Sequence, residues 1–358
     1  MSSEPARRSR GAVLQDVLPE SLGFGTIFAP LVVTAWYRRG RWEDPVLCEL
    51  GPVASSIGAK ALQYGQSVFE GMKAYRDLGE RSPESGSFLF RPHDHARRFA
   101  RSARRLGMPE LPPEVFVSTV VDLVAALDEY VPGRRGQSLY LRPTMVGTTE
   151  DLTVRPATEF CYTVLATPSD ALFTEPINVW VERGYSRAGA GGTGNVKAAG
   201  NYAASFAVSE RLLERGFHQP LWLDAATRGT VEEFTAMNVF VRRGEQLLTP
   251  PLSDTILAGV TRDSVMRLVE DAGDLQVREE AIPIDGLLAA IERGEDIEVF
   301  GTGTAAVVAP VALVGDESGL RLHLRGHETA ARLREQLLDV QHGVATTHDE
   351  WLLSVGRS

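Results

Sequence analysis

Cysteine is nearly absent. Cys48 and Cys161 are the only two, far apart in the chain, and they supply neither a disulfide framework nor the spacing of a cysteine-ligated zinc site. No run reaches the roughly 18–20 consecutive apolar residues that a bilayer-spanning helix requires. The most apolar stretch, Ala305 to Val314, is too short and contains Pro310. The charged N-terminus, from Met1 to Arg10, lacks the following apolar segment of a secretory signal. A flexible tail over residues 1–20 of a cytoplasmic protein without membrane association is therefore expected. Histidine offers no metal constellation: His93 and His95 alternate, and His323 and His327 come with no companion ligands. Charge of one sign is in small excess, 47 acidic against 37 basic residues, and a net charge of -10 gives no bulk attraction to nucleic acid. A small organic substrate fits that balance better than a polyanion does.

What the chain does have is length and apolar content. Its 358 residues, 43% of them hydrophobic, suffice for about two domains. Between Gly23 and Tyr75, short apolar runs such as Leu31 to Tyr37 are broken by glycine, proline and charge, the pattern of strands and turns. Phe99, Ala103 and Leu106, then Phe116, Val120, Leu123 and Leu127, recur at helical spacing on either side of Pro112 and Pro113. Strands are expected at Ser138–Pro143 and Glu159–Ala166, with a break from Thr167 to Asp170. A helix over Ala198–Arg215 is expected to present Ala203, Phe206 and Leu213 on its apolar face, and further helices are expected near 262–271, 287–293 and 328–340. The mixture is α/β without the regular alternation of a barrel or a doubly wound sheet.

Several segments bear on chemistry. In Gly191-Gly192-Thr193-Gly194-Asn195-Val196-Lys197 the lysine is either an exposed residue before a helix or an amine held against a ligand by a closely approaching backbone. The motif is not a phosphate loop, because Ala198 stands where Ser or Thr should bind magnesium. Tyr202 lies about one turn beyond and can approach the same ligand. The pair Glu232-Glu233 lies among apolar residues; each glutamate either faces water or needs a positive partner inside. Thr255 to Thr261 ends at an expected helix start, where backbone N–H groups and the Thr261 hydroxyl can take a phosphate. Gly301-Thr302-Gly303-Thr304-Ala305 reads as a second glycine/threonine turn whose N–H groups can bind phosphate or carboxylate, and each of the two stretches is either such a cradle or an ordinary turn.

Taken in order, these segments resemble the class IV aminotransferases, the pyridoxal-phosphate enzymes of fold type IV, and among them the branched-chain amino acid aminotransferases. The resemblance runs from Phe24 to Val314. It is carried by Tyr64-Gly65-Gln66-Ser67-Val68-Phe69-Glu70-Gly71-Met72-Lys73-Ala74-Tyr75-Arg76, Phe90-Arg91-Pro92, Gly191 through Lys197 to Ala203, Gly259-Val260-Thr261-Arg262, and Phe300 to Ala305. It implies an α+β two-domain fold, with a smaller N-terminal domain at 21–167, an interdomain loop at 168–176 and a larger C-terminal domain at 177–358. The cofactor, pyridoxal 5'-phosphate, would lie between the domains of a homodimer or larger homo-oligomer.

By the same resemblance Lys197 carries the cofactor as a Schiff base and, once released, shuttles a proton; Tyr202 bonds the cofactor O3′, and Glu233 holds the ring nitrogen. Arg91, Arg187, Val260, Thr261 and Thr304 match the phosphate-binding set, and Leu257 packs on the ring. Phe24, Tyr64, Phe69, Tyr140, Arg142 and Val154 match positions that line the substrate pocket or complete it across subunits. Thr304 and Ala305 offer N–H groups to the substrate carboxylate. The implied reaction moves the amino group of L-leucine, L-isoleucine or L-valine to 2-oxoglutarate; the second reading is an enzyme of the same class acting on a different amino acid or 2-oxo acid in a specialised pathway. Departures from the family pattern at Pro30 to Val32, Thr153, Asp170 to Leu172 and Thr235-Ala236 fall near the substrate rather than in the cofactor set.

Overall fold

The computed structural model describes residues 12–13, 18–52, 56–81 and 85–356, and two nine-stranded sheets carry most of that chain. Of the expected N-terminal tail, 1–11 and 14–17 lie outside the described residues. Among the described residues no helix is long and apolar enough to cross a membrane, and no group of three or more His, Cys, Asp or Glu is placed to hold a metal ion.

The first sheet is antiparallel. It runs from Leu352–Gly356 through Ser85–Phe90, Met72–Arg76, Ser138–Gly147 and Phe160–Ser169 to Leu31–Arg38, with Ser67–Phe69 also paired to Ser138–Gly147. The two long central strands extend past the ends that their prolines suggest. Pro143 has no N–H to give, but its carbonyl accepts the Glu70 N–H at 2.8 Å, so pairing continues to Gly147. The other strand continues through Pro168 to Ser169 in the same way, which leaves 170–176 to connect the sheets. The chain's last strand returns to the first sheet, with Trp351 edge-on to Phe90, so consecutive stretches of sequence do not map one to one onto the two sheets.

Helices Pro92–Arg105 and Pro113–Ala126 cover the first sheet. Each has proline at its first position, where the missing N–H costs no helical bond. Phe99 and Phe116, ring centroids 5.3 Å apart, both pack on Tyr162 of the sheet. The second sheet is mixed, and one pairing, Glu233 with Asn238, closes six of its strands on themselves. Inside that ring lies a separate core that includes Val179, Leu221, Phe234, Val239, Val299 and Val311.

The helix expected over 198–215 is broken. It forms as Gly200–Ala203 and Phe206–Leu213, and its buried residues are Val208 and Leu212 instead of Ala203, Phe206 and Leu213, which are all exposed. Ser205 causes the interruption locally. Its hydroxyl donates to the Tyr202 carbonyl at 2.7 Å and its N–H takes the same acceptor at 3.0 Å, a tight local turn that competes with the α-helical ladder.

Candidate active site

Lys197 is positioned by backbone contacts. Its carbonyl accepts the Phe69 N–H at 3.1 Å, its N–H donates to Ser102 Oγ at 3.0 Å, and Ala199 N–H donates to the Ser67 carbonyl at 3.0 Å. A segment between the sheets is thereby stapled to a strand and a helix of the first. Gly194 explains part of the preceding glycine cluster: a Cβ there would lie 2.6 Å from Ala188 Cβ and 2.7 Å from Thr255 Cα, a gap that no side chain fits. From this mount the Lys197 amine donates to the Tyr202 hydroxyl at 2.9 Å and lies 4.8 Å from the centre of the Phe69 ring.

The amine opens into a cavity of ≈ 490 Å³. Of the residues singled out in the sequence, Lys197, Tyr202, Arg187, Glu233, Leu257, Val260, Thr261, Thr304, Ala305, Phe24, Phe69, Tyr140 and Arg142 line it. Arg91, Tyr64 and Val154 do not line it. Arg91 sits at the N-cap of Pro92–Arg105. It is engaged by Asp94 at 2.8 Å, by Asp263 at 2.6 Å and by Ser264 at 2.9 Å, stapling that helix to the first turn of Val260–Ala272. Tyr64 is half-exposed, its hydroxyl donating to the Leu152 carbonyl at 2.6 Å, and Val154 is 91% exposed.

The arginine that does face the cavity from this helix is Arg98, which the sequence reading passed over. It grips the fully buried Glu70 through Nε at 2.6 Å and Nη2 at 2.8 Å, and Nη1 donates to the Ala258 carbonyl at 3.1 Å. Burial works to raise the Glu70 carboxyl, but the Arg98 guanidinium and His95, 2.6 Å away, together hold it far below the ordinary carboxylate range. Arg98 thus stays oriented toward the start of Val260–Ala272, whose first-turn residues Val260 and Thr261 share the cavity wall. The cap residue, Gly259, has no side chain to satisfy the helix's free N–H groups, which suits an anionic ligand group.

Arg187, which the resemblance places in the phosphate set, lines the same cavity and is paired with Glu233. Its Nη2 lies 2.5 Å from Glu233 Oε1 and also donates to the Gly194 and Thr255 carbonyls. Asn238 Nδ2 donates to Glu233 Oε2 at 3.0 Å and to the Leu257 carbonyl at 2.8 Å, fixing the carboxylate from its other side. Burial raises the Glu233 carboxyl to about 7 against the pull of Arg187. A further cation beside Glu233 is therefore electrostatically welcome. Three lining residues, Arg142 and Arg187 through Nε and Thr302 through Oγ1, keep buried polar atoms without a hydrogen-bond partner among the described residues, as expected of walls built for a polar ligand.

Elsewhere in the lining, Tyr140 accepts the Arg142 Nη2 proton at 3.0 Å and meets the Phe24 ring edge-on at 5.0 Å. Asp170 holds the Phe24 segment in place. Its Oδ2 accepts the Leu22 and Gly23 N–H groups, each at 2.9 Å, and Gln137 donates to Oδ1 at 2.9 Å. It is a loop brace, and from the same loop Leu172 reaches the cavity. Lys73, buried beneath the Gly303–Ala305 turn, donates to the Ala305 carbonyl at 3.1 Å; burial, helped by Arg334, lowers its amine to about 7. Gly71 makes the Tyr140 placement possible, since a Cβ there would fall 2.1 Å from the phenol oxygen. Gly71→Ala should therefore fold but displace Tyr140 and Arg142, lowering kcat/KM by up to about 10²-fold. Kinetics alongside a thermal melt checks this.

A lysine amine on a phenol, a buried carboxylate held by an arginine and an asparagine, and a helix N-terminus with a second arginine beside it share one cavity, a set of groups that fits pyridoxal phosphate. Comparison with known proteins agrees: the family model for amino-transferase class IV matches residues 67–314. A branched-chain-amino-acid aminotransferase of Mycobacterium tuberculosis is 40% identical over 347 residues, covering 93% of this chain and 92% of that protein. A branched-chain-amino-acid transaminase 1 of Bacillus subtilis is 37% identical, covering 94% of this chain and 95% of that protein. Among solved structures, the branched-chain aminotransferase of Thermoproteus uzoniensis with norvaline superposes with a TM-score of 0.73 at 25% identity, covering 90% of this chain and 99% of that one. The chain belongs to the class IV aminotransferases, alongside their branched-chain-amino-acid members, and is a pyridoxal-phosphate-dependent transaminase.

Proposed function

We propose that this enzyme transfers the amino group of L-leucine, L-isoleucine or L-valine to 2-oxoglutarate, reversibly and in two half-reactions. The observation that carries the reading is a single cavity in which the Lys197–Tyr202 pair faces apolar side chains, Phe24, Leu172 and Met237, with Arg142 set among them. The apolar walls suit branched aliphatic side chains. Arg142 makes no ion pair among the described residues and its Nε is buried without a partner, so it is free to meet the second carboxylate of the acceptor. Lys197 would hold pyridoxal phosphate covalently, Glu233 its ring nitrogen, Leu257 its ring face, and Arg98 with the first turn of Val260–Ala272 its phosphate.

When bound, that cofactor supplies an electron sink for the negative charge that develops at the substrate α-carbon. The chain's own groups do the rest. The Gly303–Ala305 turn, held from behind by Lys73, presents N–H groups to the substrate carboxylate and fixes which bond at the α-carbon faces Lys197. Lys197 Nζ takes the α-proton and returns it one step later, with the Tyr202 hydroxyl 2.9 Å away orienting its lone pair. Phe69, its ring centre 4.8 Å from that amine, keeps water off it.

The enzyme is further read as a cytoplasmic homodimer or larger assembly. Tyr64 and Val154, which match pocket positions, lie outside this chain's own cavity on an exposed apolar surface with Ile57, Leu62 and Leu152. Buried Lys60 braces that surface by donating to Asp151 and Thr153. A panel of amino donors with 2-oxoglutarate tests the substrate assignment. The three branched-chain acids should give the highest kcat/KM; negligible turnover of all three, with another donor active, would replace the assignment.

A further inference from the structure

Thr235 lines the cavity from the turn between strands Val231–Phe234 and Asn238–Arg243. Its hydroxyl accepts the indole N–H of Trp222 at 3.1 Å. Trp222 is 1% exposed and packs with Trp180, Val208, Leu212 and Phe217, outside the ring core to which its neighbours Leu221 and Leu223 belong. Trp222 does not line the cavity. The hydroxyl of Thr235 is therefore turned into the protein, and the other branch at Cβ, the methyl, is what remains for the cavity. A β-branched side chain has few rotamers, and a hydrogen bond from a buried indole selects one of them. The methyl is consequently a fixed piece of wall.

Its position matters for the substrate. The Thr235-Ala236 turn abuts the Gly303–Ala305 turn: a Cβ built at Gly303 would come 2.9 Å from the Ala236 carbonyl oxygen. Thr235 is thus the immediate neighbour of a residue in contact with the turn assigned to the substrate carboxylate. Phe24 and Leu172, whose segments Asp170 braces, line the same cavity.

We propose that Thr235, locked by Trp222, is a specificity-determining residue whose methyl group limits the size of the substrate side chain, admitting short branched aliphatic chains and excluding aromatic and long ones. The inference rests on the assignment of apolar amino donors above. Removing a methyl from a rigid wall gives a larger side chain space that it otherwise cannot use, and one such group commonly changes discrimination by about tenfold or more.

Two substitutions separate the methyl from the hydroxyl. Thr235→Ser keeps the acceptor for Trp222 and deletes the methyl; Thr235→Val keeps the methyl and deletes the acceptor. In Thr235→Ser the ratio of kcat/KM for phenylalanine to that for valine should rise about tenfold, mainly through the KM for phenylalanine. In Thr235→Val the ratio should stay within about twofold of the original while the melting temperature falls, because a buried indole N–H is left unsatisfied. An unchanged ratio in Thr235→Ser, or an equal rise in both variants, overturns the proposal. Binding of 4-methylvalerate against 3-phenylpropionate to the cofactor-loaded protein reads the same preference without turnover. If wild type turns over none of the branched-chain acids but Thr235→Ser still gains affinity for 3-phenylpropionate, the substrate assignment fails and the wall stands. If the acids turn over and neither ratio moves, the wall fails alone.

Discussion

Lys197→Ala leaves a folded protein whose transamination falls by on the order of 10⁴-fold, the upper end of what a positioned proton-transfer group contributes. The fold should survive because the contacts that seat this segment are made by backbone: the Lys197 carbonyl with Phe69 N–H, and its N–H with Ser102. The side chain adds one hydrogen bond, to Tyr202, which a half-buried hydroxyl can replace with water. The yellow absorption of the lysine-bound cofactor should vanish with it, whereas the circular dichroism spectrum should not change. Loss of activity together with loss of fold would remove this evidence for a chemical role.

Glu233→Ala should be the next most damaging change, and for two reasons. It removes the partner proposed for a cationic ring nitrogen, an electrostatic contribution on the order of 10²- to 10³-fold in kcat. It also leaves Arg187, 9% exposed, without its carboxylate, and breaking a buried pair costs about 3–5 kcal/mol. Glu233→Gln separates the two, because the amide still bonds Asn238 and Arg187 loses less. The pH dependence has a definite sign. Burial raises the Glu233 carboxyl from 4.5 to about 7, so in the cofactor-free protein its contribution to stability is complete below about 4.5 and is lost as pH rises through about 7. A cationic ring nitrogen favours the ionised form, so cofactor binding near pH 6 should release a proton. Calorimetry of the wild type in buffers of different ionisation heat should show that release.

Much of the catalytic centre was legible because it is local in sequence. Lys197 and Tyr202 lie five residues apart on one backbone turn, and Glu233 and the Gly303–Ala305 turn are short contiguous motifs. The arginines were harder. Arg91 caps one helix and Arg98 lies within it, and only the phase of that helix decides which reaches the cavity. Pro92 at the first helical position puts Arg91 at the cap, outside the helical face, while His95 and Arg98, three residues apart, share the face that meets Glu70. That spacing was visible in the sequence; the buried partner that gives it meaning was 25 and 28 residues away. The role of Arg187 beside Glu233 likewise depends on a long-range approach that Gly194 permits.

The helix after Lys197 shows a different limit. Its sequence carries two apolar stripes, Ala203, Phe206 and Leu213, and Val208 and Leu212, and periodicity alone does not say which one the Trp180–Phe217–Trp222 cluster will bury. Asp170 stood out in sequence only as a departure from the family pattern; it is a brace for Leu22 and Gly23, and the residue two places on, Leu172, lines the cavity.

The most direct test is the first half-reaction, followed by absorbance in cofactor-loaded protein with no acceptor present. Excess L-leucine should bleach the yellow band, 2-oxoglutarate should restore it, and Lys197→Ala should do neither. A band that L-leucine, L-isoleucine and L-valine all leave unchanged would contradict the assignment of this cavity as a branched-chain transaminase site.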